Sequence, residues 1–210
     1  MAVSVQFSTI VGMFDEVTKK FADVSRPLLQ HKSEKNYRGI AHSEYRRNVE
    51  LFSRGLVSLR VRKKGAIAII SENRPEWVIA NMGIALTGAV DAPIYPTLTA
   101  KQIEHNFNAT GVSIAVVSNQ PKLNKVLKIR KRVKTLRKVI MMSEHEDASP
   151  KGFVMGRADF TAWERRTKSG TRIIWIRESR KSLPTTFSLI DASGTTGIRK
   201  KLCSRAGTLC

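Results

Sequence analysis

Apolar residues fall at helical spacing twice near the start of the chain. In "FSTIVGMFDEVTKKFADV" the shared face is Phe7, Ile10, Val11, Phe14, Val17 and Phe21; in "EYRRNVELFSRGLVSL" it is Tyr45, Val49, Phe52, Leu56 and Leu59. Both patterns predict amphipathic helices. "GAIAIIS" then gives an apolar run of strand length behind a glycine. Pro75 opens the next helix at a position where its missing N–H costs nothing. "EWVIANMGIALTGA" continues that helix with apolar residues on most sides, which predicts a buried one. "VDAPIYP" reads as extended chain, and "TAKQIEHNFNAT" as a helix with Thr99 as its N-cap. "VSIAVVS" is a β-branched strand, "NQPKLNKVLKIRKRV" a helix and "LRKVIMM" another strand.

Strand and helix therefore alternate from about residue 66 to residue 142, which gives an α/β fold class. The strands are apolar throughout rather than alternating, as in a mostly parallel sheet covered by helices on both faces. Ligands of such sheets bind beyond the carboxyl ends of the strands. After residue 143 the pattern fails, and "MGRADFTAWERRTKSGTRIIWIRESRKSLPTT" shows no period. The chain divides into an α/β portion over 1–142, an irregular segment over 143–187, and a strand, loop and irregular tail over 188–210.

Composition narrows the class. Of 210 residues, 41% are hydrophobic, enough to bury a core. No apolar run approaches the roughly 20 residues a membrane span needs, and the first residues lack the pattern of a signal peptide. The two cysteines, Cys203 and Cys210, suggest neither a disulfide framework nor a metal site, and fit a reducing cytoplasm.

The net charge of +20 points to anionic partners, nucleic acid or an anionic membrane surface. Much of the excess sits in residues 122–138, which hold nine Lys and Arg and no Asp or Glu. That segment keeps an apolar face at Leu123, Val126, Leu127, Val133 and Leu136, so it reads as a basic helix on a core. No specific nucleic-acid partner is expected, and a peripheral membrane contact is compatible with the charge.

The candidate chemistry lies near the end, in "SLIDASGTTGIRKKLCSRAGTLC". A phosphate loop needs small residues whose backbone N–H groups reach the oxygens, plus hydroxyls and a cation. Ser193, Gly194, Thr195, Thr196 and Gly197 supply the first two, and Lys200 the third. It is not a Walker A sequence. Pro75, Trp77, Tyr95 and Pro96 read as packing and turn residues, and Glu72 and Glu76 as solvated or capping. His31, His42, His105 and His145 are scattered; no catalytic residue and no protein-held metal is assigned.

"SENRPEW", "GAV" and "PIYPTLT", followed at a distance by "SGTTG", stand in the order and spacing of the adenylate-forming enzymes. The chain resembles the N-terminal part of the AMP-forming long-chain fatty acid–CoA ligases over most of residues 8–142, and again from about residue 188. The resemblance implies ATP, Mg2+ and coenzyme A as cofactors and a fatty acid as substrate. The acid is activated to an acyl-adenylate and passed to the coenzyme A thiol. It also implies that Ser193, Gly194, Thr195, Thr196, Gly197 and Lys200 bind the ATP phosphates, and a cytoplasmic protein, at most peripheral at a membrane surface.

The chain departs from that family around the loop. Asp191 and Ala192 stand for Tyr-Thr before "SGTTG", Arg199 for the Pro before the lysine, and Lys201 for the Gly after it. Codons for Ile198–Ser204, read one base over, permit "PKEVMLT", close to the family's "PKGVMLT". Residues 182–187 permit "FADDLF" in the same way. This predicts a reading frame displaced over much of roughly 165–187 and 198–206, and a chain that as written is a truncated, inactive fragment of the enzyme; the alternatives are a non-catalytic nucleotide-binding or scaffold fragment and a basic nucleic-acid-binding protein.

Overall fold

The computed structural model describes residues 9–33, 35–143, 152–156, 188–192 and 200–204. The first predicted helix is α1 (Ile10–Lys20), whose N-cap Thr9 accepts from the Gly12 N–H at 2.8 Å. A hairpin follows, β1 (Leu29–Ser33) against β2 (Asn36–Ile40), in register from Leu29↔Ile40 to Ser33↔Asn36. The sequence pattern gave no sign of it, because "LQHKS" and "NYRGI" carry almost no apolar alternation for a period to act on. The second predicted helix is α2 (His42–Ser58).

The alternating stretch forms β3 (Ala66–Ile70), α3 (Pro75–Leu86), β4 (Val90–Ile94), α4 (Ala100–Thr110), β5 (Ile114–Val117), α5 (Gln120–Ile129) and β6 (Lys138–Met141). Pro75 sits in the first turn of α3 and Thr99 caps α4, both as the sequence predicts. Beyond these lie the short β7 (Val154–Met155), β8 (Ser188–Ala192) and β9 (Lys200–Ser204). The sheet runs β7-β6-β5-β3-β4-β8-β9, with β3 to β8 parallel and β9 antiparallel to β8.

Side chains of β3 divide by parity, because successive residues of a strand face opposite sides. Ala66, Ala68 and Ile70 meet α4 and α5 through Ile103, Phe107, Leu123 and Val126. Ile67 and Ile69 meet α3 through Ala80 and Ile84. The opposite flank of α3, with Met82, Ala85 and Leu86, packs on Val11 and Phe14 of α1 and on Tyr45 and Val49 of α2. A helix held between the sheet and two other helices must be apolar all round, which is the pattern "EWVIANMGIALTGA" shows.

The basic segment keeps its predicted apolar face. Leu123, Val126, Val133 and Leu136 are buried, and Leu127 packs partly against them. Within residues 188–210, Lys200–Ser204 forms β9 and pairs with β8 from Ala192↔Lys200 to Ser188↔Ser204. Ladder pairing is made by backbone groups and needs no apolar periodicity, so the aperiodic sequence concealed it.

Candidate functional site at the carboxyl edge of the sheet

Because β3 to β8 run parallel, their carboxyl ends share one edge. The turns after β3 (Ser71–Arg74), β4 (Tyr95–Thr99) and β5 (Ser118–Asn119) all open there. β8 ends and β9 begins at the same edge, where Ala192 pairs with Lys200. β8 is tied to the sheet at Asp91↔Ser188, where Asp91 is buried and accepts from the Asn81 amide at 2.9 Å. Of the predicted phosphate-binding residues, Ser193, Gly194, Thr195, Thr196 and Gly197 lie outside the described residues. Lys200 is the first residue of β9.

The floor of this edge is cross-tied by polar groups. The buried Ser118 donates its hydroxyl to the Glu72 carboxylate at 2.7 Å, and Lys122 donates to the other Glu72 oxygen. The Ser118 carbonyl accepts from the Arg74 guanidinium at 3.3 Å and from the Ser143 hydroxyl at 3.0 Å. Arg74 also holds Glu76 at 2.8 Å. Lys125 donates to the Pro96 and Leu98 carbonyls at 3.0 and 2.8 Å. The turns after β3, β5 and β6 are thus bound to one another, and the turn after β4 is tied to α5.

The Lys122 and Ser118 hydrogen bonds lower the Glu72 pKa to about 2, so it is ionised at neutral pH. Glu72 and Glu76, expected to be solvated or capping, are therefore partners in this network. Ser118 and Lys122 went unnoticed in the sequence, although the change from β-branched strand to the cap Asn119 marks a strand end where polar groups gather. The predicted turn residue Tyr95 is 76% exposed and packs on little, whereas Trp77 lies partly buried against the core.

The turn after β3 also forms one wall of a cleft of about 820 Å³, with Leu29–Lys32 of β1 as the other. The Nδ1 of His31, in that wall, is buried without a hydrogen-bond partner among the described residues. No group of three or more His, Cys, Asp or Glu that could hold a metal occurs among the described residues. Nor is any helix among them long and apolar enough to cross a membrane.

Residues 19–203 match the family described as AMP-binding enzyme. The chain belongs to that family. The match runs through β8, the 193–199 connection and β9, and the family uses ATP and coenzyme A. Among curated proteins, the chain is 28% identical over 199 residues to long-chain-fatty-acid–CoA ligase heimdall of Drosophila melanogaster, covering 91% of this chain and 29% of that protein. It is 26% identical over 136 residues to long-chain-fatty-acid–CoA ligase ACSBG1 of Homo sapiens, covering 65% and 18%. The chain thus spans less than a third of the length of these relatives.

Solved structures of similar fold include the anthranilate CoA ligase AuaEII in complex with anthranoyl-AMP. It has a TM-score of 0.69 and 19% identity, over 91% of this chain and 34% of that one. An acyl-CoA synthetase of Brucella canis has a TM-score of 0.67 and 18% identity, over 89% and 32%.

Proposed function

We propose that this chain is the part of a fatty acid–CoA ligase that carries its ATP-phosphate loop. In the whole enzyme a fatty acid carboxylate attacks ATP, pyrophosphate leaves, and the acyl-adenylate passes its acyl group to the thiol of coenzyme A. The observation that supports the reading is the pairing of β8 with β9 at Ala192↔Lys200, beside the carboxyl edge of a parallel sheet, with "SGTTG" in the sequence between the two strands. The hydroxyls of Ser193, Thr195 and Thr196, the backbone N–H groups around Gly194 and Gly197, and the Lys200 ammonium are donors suited to phosphate oxygens. Donors already in place stabilise the charge that develops as pyrophosphate departs. A Mg2+ ion takes oxygen ligands and travels with the nucleotide's phosphates, so it needs no protein cluster of its own here.

The loop's surroundings argue for loss of activity in the chain as written. Arg199 and Lys201 replace a proline and a glycine, and glycine is what lets a backbone approach a ligand closely. We read residues 198–206 and much of 165–187 as displaced by one base, leaving 1–142 and the loop as the authentic parts. The setting is cytoplasmic, with Cys203 and Cys210 as free thiols.

Two measurements test this. Sequencing the coding DNA across codons 140–210 should show a one-base difference that restores a "PKxVMLT" reading after the loop. Purified chain should release pyrophosphate from Mg-ATP no faster with a long-chain fatty acid than without it. DNA that matches the printed sequence, together with fatty-acid-dependent release abolished by T195A/T196A, would overturn the displaced-frame and inactivity readings.

A further inference from the structure

The opposite edge of the sheet carries a second concentration of chemistry. The start of β3 and the segments leading into β5 and β6 are joined there by backbone hydrogen bonds: Ser113 N–H donates to Ala66 C=O at 3.0 Å, and Arg137 N–H to Ser113 C=O at 2.8 Å. Between them lies a cleft of about 480 Å³ lined by Arg60, Arg62, Lys63 and Arg137 with Val57, Val61 and Thr87. Its charged lining is wholly cationic, and residues 59–65 and 130–138 contain no Asp or Glu. Arg60, Arg62 and Arg137 are exposed and make no ion pair among the described residues.

The backbone supplies an independent sign. Among the described residues only two other than glycine have positive φ, and both bracket this turn: Arg60 at 54° and Lys64 at 61°. Arg60 closes α2 in a left-handed C-terminal turn, with Val61 N–H donating to Leu56 C=O at 3.3 Å. Glycine adopts that conformation freely and a long side chain resists it. The ends of α2 and α3 face this edge, and their carbonyls make the cations tolerable. That does not account for a cation placed where glycine would fit with less strain, and such strain clusters at active sites, ligand clamps and switch regions. A cleft lined by one sign of charge also focuses the field on an oppositely charged ligand.

We propose that this amino-edge cleft binds clustered phosphate groups, supplied by a soluble polyphosphate or by a phosphomonoester lipid headgroup. It lies at the far end of the strands from Ala192 and Lys200 and does not depend on the function proposed for residues 193–200. The test uses the full chain with inorganic tripolyphosphate, and separately with phosphatidylcholine vesicles with and without phosphatidic acid.

R60G relieves a strained position while removing a cation, so R60G/R137Q should keep or raise the melting temperature. Each cation near an anionic surface is worth about fivefold in affinity, so the double variant should bind roughly thirty-fold more weakly. The charge-matched control R38Q/K101Q, exposed elsewhere, should stay within a small factor of the wild type. Binding of tripolyphosphate assigns a soluble source, and binding of phosphatidic acid vesicles alone assigns the headgroup. The proposal is overturned if the wild type binds neither probe, if R60G/R137Q binds as well as the wild type, or if the control loses as much.

Discussion

At the residue scale, two positions show how local fit was or was not visible in the chain. Gly83 lies where α3 crosses α2, and a Cβ there would meet the Phe52 ring at 2.7 Å and its Cβ at 3.3 Å. Alanine would gain about 1 kcal/mol of helix propensity but overpack the crossing, which costs about 1–3 kcal/mol. Gly83→Ala should therefore lower stability in urea unfolding, and Phe52→Leu in the same chain should recover most of the loss. Pro75 and the apolar run mark α3 as a buried helix and cannot say that one of its positions must lack a side chain, because that depends on a second helix.

Glu72 is the converse case, a charged residue whose partners come from β5 and α5. Its folded pKa of about 2 lies below the ordinary 4.5. Its contribution to stability is then complete above about pH 4.5 and lost as pH falls through 2. Glu72 is half exposed, so the contribution at neutral pH is below about 1 kcal/mol. Glu72→Gln should be slightly less stable than wild type at pH 7 and converge with it as the acid is titrated. An offset unchanged at low pH would mean that the Lys122 and Ser118 bonds do not hold the carboxylate.

At the scale of the element, legibility followed the strength of the local signal. α4 announced itself at its start, with Thr99 before it. The structure gives a capping box between Thr99 and Gln102, and a left-handed Gly111 at φ 68°. Thr99→Ala should cost about 1 kcal/mol of stability, measured by thermal or urea unfolding. The fully buried strands were equally plain as unbroken apolar runs. The β1–β2 hairpin and β9 were not, because their stability comes from backbone pairing and not from a buried face that could leave a period. The candidate site shared that fate in part. The residue types of the phosphate loop were readable, whereas the network of Ser118, Lys122 and Glu72 depends on β3 and β5 being neighbours although β4 lies between them in the chain.

At the scale of the whole molecule, the sheet separates two basic ends with different origins. At the carboxyl edge the cations are largely engaged: Lys122 with Glu72, Arg74 with Glu76, and Lys125 with two carbonyls. At the amino edge, Arg60, Arg62 and Arg137 make no ion pair among the described residues. The net charge of +20 is thus unevenly committed, which composition alone could not reveal. The chain accounts for 29% of the length of the Drosophila ligase it resembles. Its own chemistry must therefore be judged from the 193–200 loop rather than from the activity of whole relatives.

The most direct test of that loop is a calorimetric titration of Mg-ATP into three proteins: the chain as written, R199P/K201G, and R199P/K201G carrying T195A/T196A/K200A. The repaired loop should bind ATP at least about tenfold more tightly than the chain as written, a gain equal to one charge-assisted hydrogen bond. The triple substitution should abolish that gain. If the repaired loop binds no better, or if its binding survives loss of both threonines and the lysine, residues 193–200 are not the nucleotide-phosphate site.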